Sequence, residues 1–107
     1  MTNDALCLEC MSNLNLDEID ETEQTISSLI SQAESIIMNA VNAVVVLKDY
    51  LDDHLFIAAV EALTTQLFYD RTLENNLSLG VQMMIVQLQA KYSNKSGGDN
   101  NGNAKNG

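Results

Sequence analysis

Residues 20–44, DETEQTISSLISQAESIIMNAVNAV, decide the fold. Ile26, Leu29, Ile30, Ala33, Ile37, Ala40, Val41 and Val44 recur at three- and four-residue steps. Gln24, Ser27, Ser28, Ser31, Gln32, Glu34, Ser35 and Asn39 fill the opposite side. Apolar side chains at that spacing line one face of a 3.6-residue helix, so the stretch predicts a long amphipathic helix with one buried stripe. At its start, Asp20 followed by Glu23 reads as a capping box with Asp in the Ser/Thr position. Asp20, Glu21 and Glu23 also suit the positive end of the helix dipole.

Upstream of that helix, residues 15–22 form an acidic connector. A short helix is expected over residues 4–11, with Asn3 as N-cap and Leu6, Cys7, Cys10, Met11 and Leu14 as its apolar face. A helix this short must be held by packing. Downstream, the run Val44-Val45-Val46-Leu47 reads either as a last helical turn or as an extended apolar piece crossing the core. Asp52 or Asp53 can cap the next helix, expected from about Asp53 to Leu73. Phe56, Ala59, Val60, Leu63 and Leu67 trace its stripe, and Ala58, Ala62, Thr64 and Phe68 widen it, which marks this helix as central. Residues 74–77 form a loop. Ser78 is a suitable N-cap for a last helix carrying Val81, Met84, Ile85, Leu88 and Tyr92, and Gly80 in its first turn would allow close backbone approach.

The chain has no proline, and between residues 4 and 92 Gly80 is the only strong helix breaker. From Ser93 the composition changes to SNKSGGDNNGNAKNG, with no apolar side chain larger than Ala104. Such a segment cannot offset its ordering entropy and is expected to be disordered. The expected class is therefore all-α. A bundle of about four helices occupies residues 1–92, and a polar tail occupies residues 93–107.

At 107 residues the chain is one domain, and its hydrophobic fraction of 46% excludes wholesale disorder. No apolar stretch approaches the ~20 residues of a membrane span. The start, MTNDALCLEC, lacks a basic region followed by an apolar run, so no secretory signal is expected. The formal charge is −10, and Asp4, Glu9, Asp17, Glu18, Asp20, Glu21, Glu23 and Glu34 all precede the first base, Lys48. Binding to nucleic acid by counterion release needs clustered bases and is not expected, and anionic membranes should repel the chain. An acidic surface serves solubility, and it would also let DNA pass close by without sticking.

Cys7 and Cys10 form a CxxC. A redox role needs a low-pKa thiol, but here acids flank the pair and raise thiol pKa. A zinc role needs two more ligands, but His54 is the only histidine and there is no third cysteine. Two reduced, half-buried helix residues in a cytosolic protein are the expectation. Asp52, Asp53 and His54 are adjacent, but consecutive helical residues diverge in direction, so capping and solvation are expected of them. No GxSxG and no phosphate-cradling glycine loop is present, and Met83 and Met84 read as core filler. Asn76-Leu77-Ser78-Leu79 lacks the Asp of the acyl carrier attachment site. No catalytic, cofactor-binding or metal-binding residue is assigned, and the chain is not expected to be an enzyme.

Three stretches carry a family resemblance. They are LDEIDETEQTISSLISQAESII (16–37), HLFIAAVEALTTQLFYDRT (54–72) and LSLGVQMMIVQLQAKY (77–92). Their order, with Tyr69-Asp70-Arg71 followed at short distance by Gly80-Val81-Gln82, resembles the head–tail connector (head-completion adaptor) proteins of tailed bacteriophages and prophages. Ser78 stands where that family often has Pro, and both residue types suit helix starts.

The resemblance implies a structural virion protein at the head–tail junction, present in the host cytoplasm before assembly. It implies a homo-oligomeric ring beneath the portal protein that receives the tail or a stopper protein and leaves a channel for DNA. Tyr69, Arg71, Gly80, Val81 and Gln82 are its expected assembly motif. Besides Lys48, Arg71 is the only base in the first 90 residues, and it is expected to make a specific pair within the subunit or across a subunit seam. The residues leave one other class open, a small acidic helical regulator that imitates DNA and binds a basic partner.

Overall fold

The computed structural model describes residues 1–73 and 76–93, and these are helical with short connections. The helices are α1 (Asn3–Asn13), α2 (Asp20–Val41), α3 (Leu47–Tyr50), α4 (His54–Tyr69) and α5 (Leu79–Tyr92). The expected all-α bundle is present, with one helical turn, α3, added between the second and third long helices. Of the tail expected from Ser93, residues 94–107 lie outside the described residues, as do residues 74 and 75 of the expected loop.

The ends of the helices follow local hydrogen bonding. Thr2, not Asn3, caps α1, its Oγ1 accepting from Ala5 N at 3.1 Å. Asn3 is thereby drawn into the helix, where its side chain donates to Glu34 Oε1 at 3.4 Å. The expected box at the start of α2 does not form. Asp20 is already helical, and Ile19 occupies the cap position without a side-chain bond. The three acids of that first turn still face the positive dipole end. Asp53 caps α4 by accepting from Leu55 N at 2.9 Å. The helix stops at Tyr69, four residues short of the expected Leu73. Asp70 leaves the helical region, and Leu73 and Asn76 take positive φ values of 53° and 64°. Ser78 caps α5 as expected, accepting from Val81 N at 3.2 Å.

The Val44–Leu47 run follows neither expected course. Asn42 is extended, and its Oδ1 accepts from Val44 N at 3.0 Å, which turns the chain out of α2. Val44 and Val46 stay exposed, Val45 and Leu47 pack partly against the core, and α3 then inserts Tyr50 into it.

Tertiary hydrogen bonds fix how the helices lie. Ser27 of α2 bonds to Cys7 of α1, and Asn3 bonds to Glu34, so α1 runs antiparallel to α2. Gln89 donates to Ala40 O, and Asn42 donates to Tyr92 O, which places the C-terminal ends of α5 and α2 side by side. α4 packs on α2, α5 and α1. Thus α1 and α5 occupy opposite flanks of the α2–α4 pair. The core between these helices contains Leu6, Met11, Ile26, Ile30, Ile37, Phe56, Val60, Leu63, Leu67, Val81 and Leu88, all fully buried.

Gly80 does not make the expected close approach. A Cβ built there would have nothing within 4 Å, and the residue is exposed in the first turn of α5. Gly80→Ala is expected to stabilise the protein by about 0.5–1 kcal/mol, through the lost flexibility of the unfolded chain and higher helix propensity. Urea denaturation of the two proteins side by side measures it.

Candidate assembly surface

The expected motif residues gather at one corner of the bundle, where α4 ends and α5 begins. Gln66 latches that corner, its Nε2 donating to Asn76 O at 2.6 Å and its Oε1 accepting from Ser78 N at 2.9 Å. Gln82 adds a second tie, donating to Leu77 O at 2.6 Å. Tyr69 ends α4 almost fully in solvent, resting edge-on against Phe68 at 5.2 Å. Arg71 is exposed in the following turn and makes no ion pair or hydrogen bond to any described residue. Among the described residues, its expected pair within the subunit is therefore absent. Gly80 is exposed, whereas Val81 points inward and is fully buried as a core residue.

α5 carries a feature that its expected single stripe did not indicate. Val81, Ile85, Leu88 and Tyr92 are buried, and Leu79, Met83 and Val86 are exposed at 71%, 55% and 62%. At 3.6 residues per turn these two sets stand roughly 180° apart. The helix is apolar on opposed faces, and one faces water. Met83, expected in the core, lies on the outer face, while its neighbour Met84 is half-buried against the core. The signal for this was present in residues 79, 83 and 86, whose spacing repeats that of the inner stripe two positions earlier. α5 also contains no acid, in a chain of formal charge −10.

The outer face is held in orientation by a polar hub at the other end of α5. Asp53 Oδ1 accepts from Leu55 N, and its Oδ2 accepts from Tyr92 Oη at 2.8 Å and from Lys91 Nζ at 2.9 Å. Burial alone would push the Asp53 carboxyl up. The bonds from Lys91, Tyr92 and Leu55 outweigh it and hold the carboxyl below its ordinary value. Tyr92 is shifted upward by burial and by the Asp53 charge. Tyr50 sits between Phe56 and Tyr92, with ring centroids at 4.6 and 4.8 Å, and donates to Asn42 O at 2.7 Å. Asp53 was expected only to cap. Its role as a junction needs Lys91 and Tyr92, which are close to it only in the folded chain.

A second concave feature, an open cleft of about 490 Å³, lies between α1 and α4. Glu9, Glu61, Asp52 and His54 stand around it. Glu61 Oε2 is buried without a hydrogen-bond donor. Burial, and then the adjacent Glu9 carboxylate, push the Glu61 carboxyl up to about 7. A carboxyl that keeps its proton can donate it to Glu9, which accounts for that oxygen. Cys7 and Cys10 are free and buried, not half-buried. Burial, Glu61, Cys7 and Glu9 push the Cys10 thiol up to about 12, so it is not a nucleophile at neutral pH. Among the described residues no three His, Cys, Asp or Glu side chains converge on a metal position. Among them, too, no helix is long and apolar enough to cross a membrane.

The Glu61 shift sets a pH dependence. Its folded pKa lies above the ordinary 4.5, so its contribution is complete below that value and is lost as pH rises through about 7. The buried Glu34 carboxyl, raised by burial against the bond from Asn3, acts in the same sense. Stability is expected to fall between pH 5 and 8 by ~1–2 kcal/mol after solvent screening. Thermal melts across that range should show the fall, and Glu61→Gln should flatten it.

Comparison with known protein families, with curated proteins and with solved structures finds no match.

Proposed function

We propose that this chain is a structural assembly subunit of the head–tail connector type. It forms a ring with its own copies beneath a phage portal protein, receives a tail or stopper protein, and leaves a channel through which DNA passes. The observation that carries this reading is the α4–α5 corner. There an exposed Tyr69 and an Arg71 without a partner among the described residues adjoin a helix whose outer face is apolar and free of acids. An exposed cation and an uncovered apolar stripe are the features of a surface that another protein covers. The acids elsewhere favour a channel role, because fixed negative charge removes the counterion-release gain that would hold passing DNA. The wider acidic surface also supports a second reading, since Asp17, Glu18, Asp20, Glu21 and Glu23 are all exposed and could imitate a nucleic acid for a basic partner.

Negative-stain microscopy of the concentrated protein, alone and mixed with a tailed-phage portal, separates the two. A connector yields rings or caps on the portal. A regulator stays monomeric or dimeric and binds a basic protein in a strongly salt-dependent way. A further result is expected for Arg71. Arg71→Ala should leave the melting temperature unchanged and raise the concentration needed for assembly.

A further inference from the structure

We propose that the outer face of α5 is the contact between neighbouring copies of this chain, and that it seats head-to-tail on the α1 flank of the next copy. This rests on the assembly reading above and specifies which surfaces meet. Three observations carry it.

The first is the second apolar stripe itself. A surface helix needs one apolar face to join its own core, and α5 satisfies that with Val81, Ile85, Leu88 and Tyr92. Leu79, Met83 and Val86 lie outside that stripe and are exposed.

The second is the distribution of charge. The flank formed by α1 and the start of α2 carries Asp4, Glu9, Asp17, Glu18, Asp20, Glu21 and Glu23, with exposed Leu8 and Ile19 among them. The α5 flank carries no acid on the helix and has the exposed Arg71 at its N-terminal end. Two copies of a chain with charge −10 repel wherever acidic faces meet. Packing α5 against α5 would leave the acids of the α1 flank unmatched. Packing α5 against the α1 flank places the cation and the acid-free face opposite the acids, and each side contributes exposed apolar residues.

The third is the placement of the two surfaces. They lie on opposite flanks of the α2–α4 pair, so they cannot meet within one chain. A contact between two different surfaces of the same chain is heterologous. It repeats from copy to copy and ends only by closing into a ring. One face of a helix ~21 Å long supplies less than the ~800 Å² per partner of a standard stable interface. A single contact is weak, and the closed assembly is held by its many contacts together.

Sedimentation velocity over a concentration series tests this, with circular dichroism melts as the check on folding. The wild type is expected to pass from monomer to a large species. Met83→Glu and Val86→Glu on one flank, and Leu8→Glu on the other, are all at exposed positions. Each should melt like the wild type and need at least tenfold higher concentration to assemble. An equimolar mixture of Met83→Glu and Leu8→Glu retains one intact contact and should stop at a dimer. If the wild type assembles and Met83→Glu and Val86→Glu assemble equally well, the α5 contact is wrong while the assembly reading stands. If Leu8→Glu alone is without effect, the contact is not head-to-tail. A wild type that remains monomeric at every concentration and with the portal overturns both.

Discussion

Phe56→Ala is expected to remove about 3–5 kcal/mol of folding stability. Phe56 is fully buried in the first turn and a half of α4, and its ring stacks on Tyr50 at 4.6 Å with the planes 22° apart. Truncation removes the apolar transfer contribution of the ring and leaves a cavity at the junction of α3, α4 and α5. Collapse into that space is limited, because Tyr50 is anchored by its bond to Asn42 O and by the Tyr92 ring behind it. Small domains have only ~5–15 kcal/mol in total, so the loss is a large share. A melting temperature lower by ~15 °C or more is the expected reading. Phe56→Leu, which keeps most of the volume, should cost much less. An equal loss for both variants would show that ring stacking, and not filled volume, dominates there.

Asp53→Ala is expected to cost about 2–4 kcal/mol, a large effect for a residue at the edge of the core. Three losses combine. The N-cap of α4 is worth ~1 kcal/mol. The buried Tyr92 hydroxyl loses its acceptor, at a cost of ~1–3 kcal/mol. The Lys91 pair adds less than ~1 kcal/mol, because the lysine side chain is 55% exposed. These terms share one carboxylate and will not sum simply. Lys91→Ala and Tyr92→Phe should each cost less than Asp53→Ala, in chemical denaturation with a common slope. The pH dependence separates this site from Glu61. The Asp53 carboxyl is held low, so its contribution is present above 3.8 and is lost as pH falls through its folded value. The acid-side loss should vanish in Asp53→Ala, whereas the fall between pH 5 and 8 should shrink in Glu61→Gln to the share that Glu34 carries. Because Asp53 holds the C-terminal end of α5, the same variant is also expected to weaken assembly through the tilt of the outer face.

Much of the architecture was legible in single side chains. Ile26, Leu29, Ile30, Ala33 and Ile37 are buried where their spacing put them, as are Phe56, Ala59, Val60, Leu63 and Leu67. The cap by Ser78 follows from short-range geometry, whereas the choice between Asp52 and Asp53 stayed open in the sequence. The misread positions have a common character. Thr2 against Asn3, the missing box at Asp20 and the end of α4 at Tyr69 each depend on which of several adequate polar groups wins a local competition. Energies there differ by a fraction of a kcal/mol. The Val44–Leu47 run depended on Asn42, whose side chain redirects the backbone. Periodicity has no information on four consecutive apolar residues.

The candidate surface was legible only in part. Tyr69, Arg71, Gly80 and Gln82 were singled out and stand at one exposed corner, but Val81 belongs to the core and Met83 belongs outside. A helix with apolar residues on two opposed faces does not announce which face is inner, since both satisfy the same repeat. The sequence by itself determined that the chain is helical, acidic and stripe-packed, because helix periodicity and charge are properties of neighbouring residues. Only the tertiary structure decided that α5 turns Val81 and Leu88 inward and Leu79, Met83 and Val86 outward. That choice is made by groups far away in the chain. Asn42 holds the Tyr92 carbonyl, Ala40 accepts from Gln89, and Asp53 binds Tyr92 and Lys91, and together they fix the rotation of the helix about its axis.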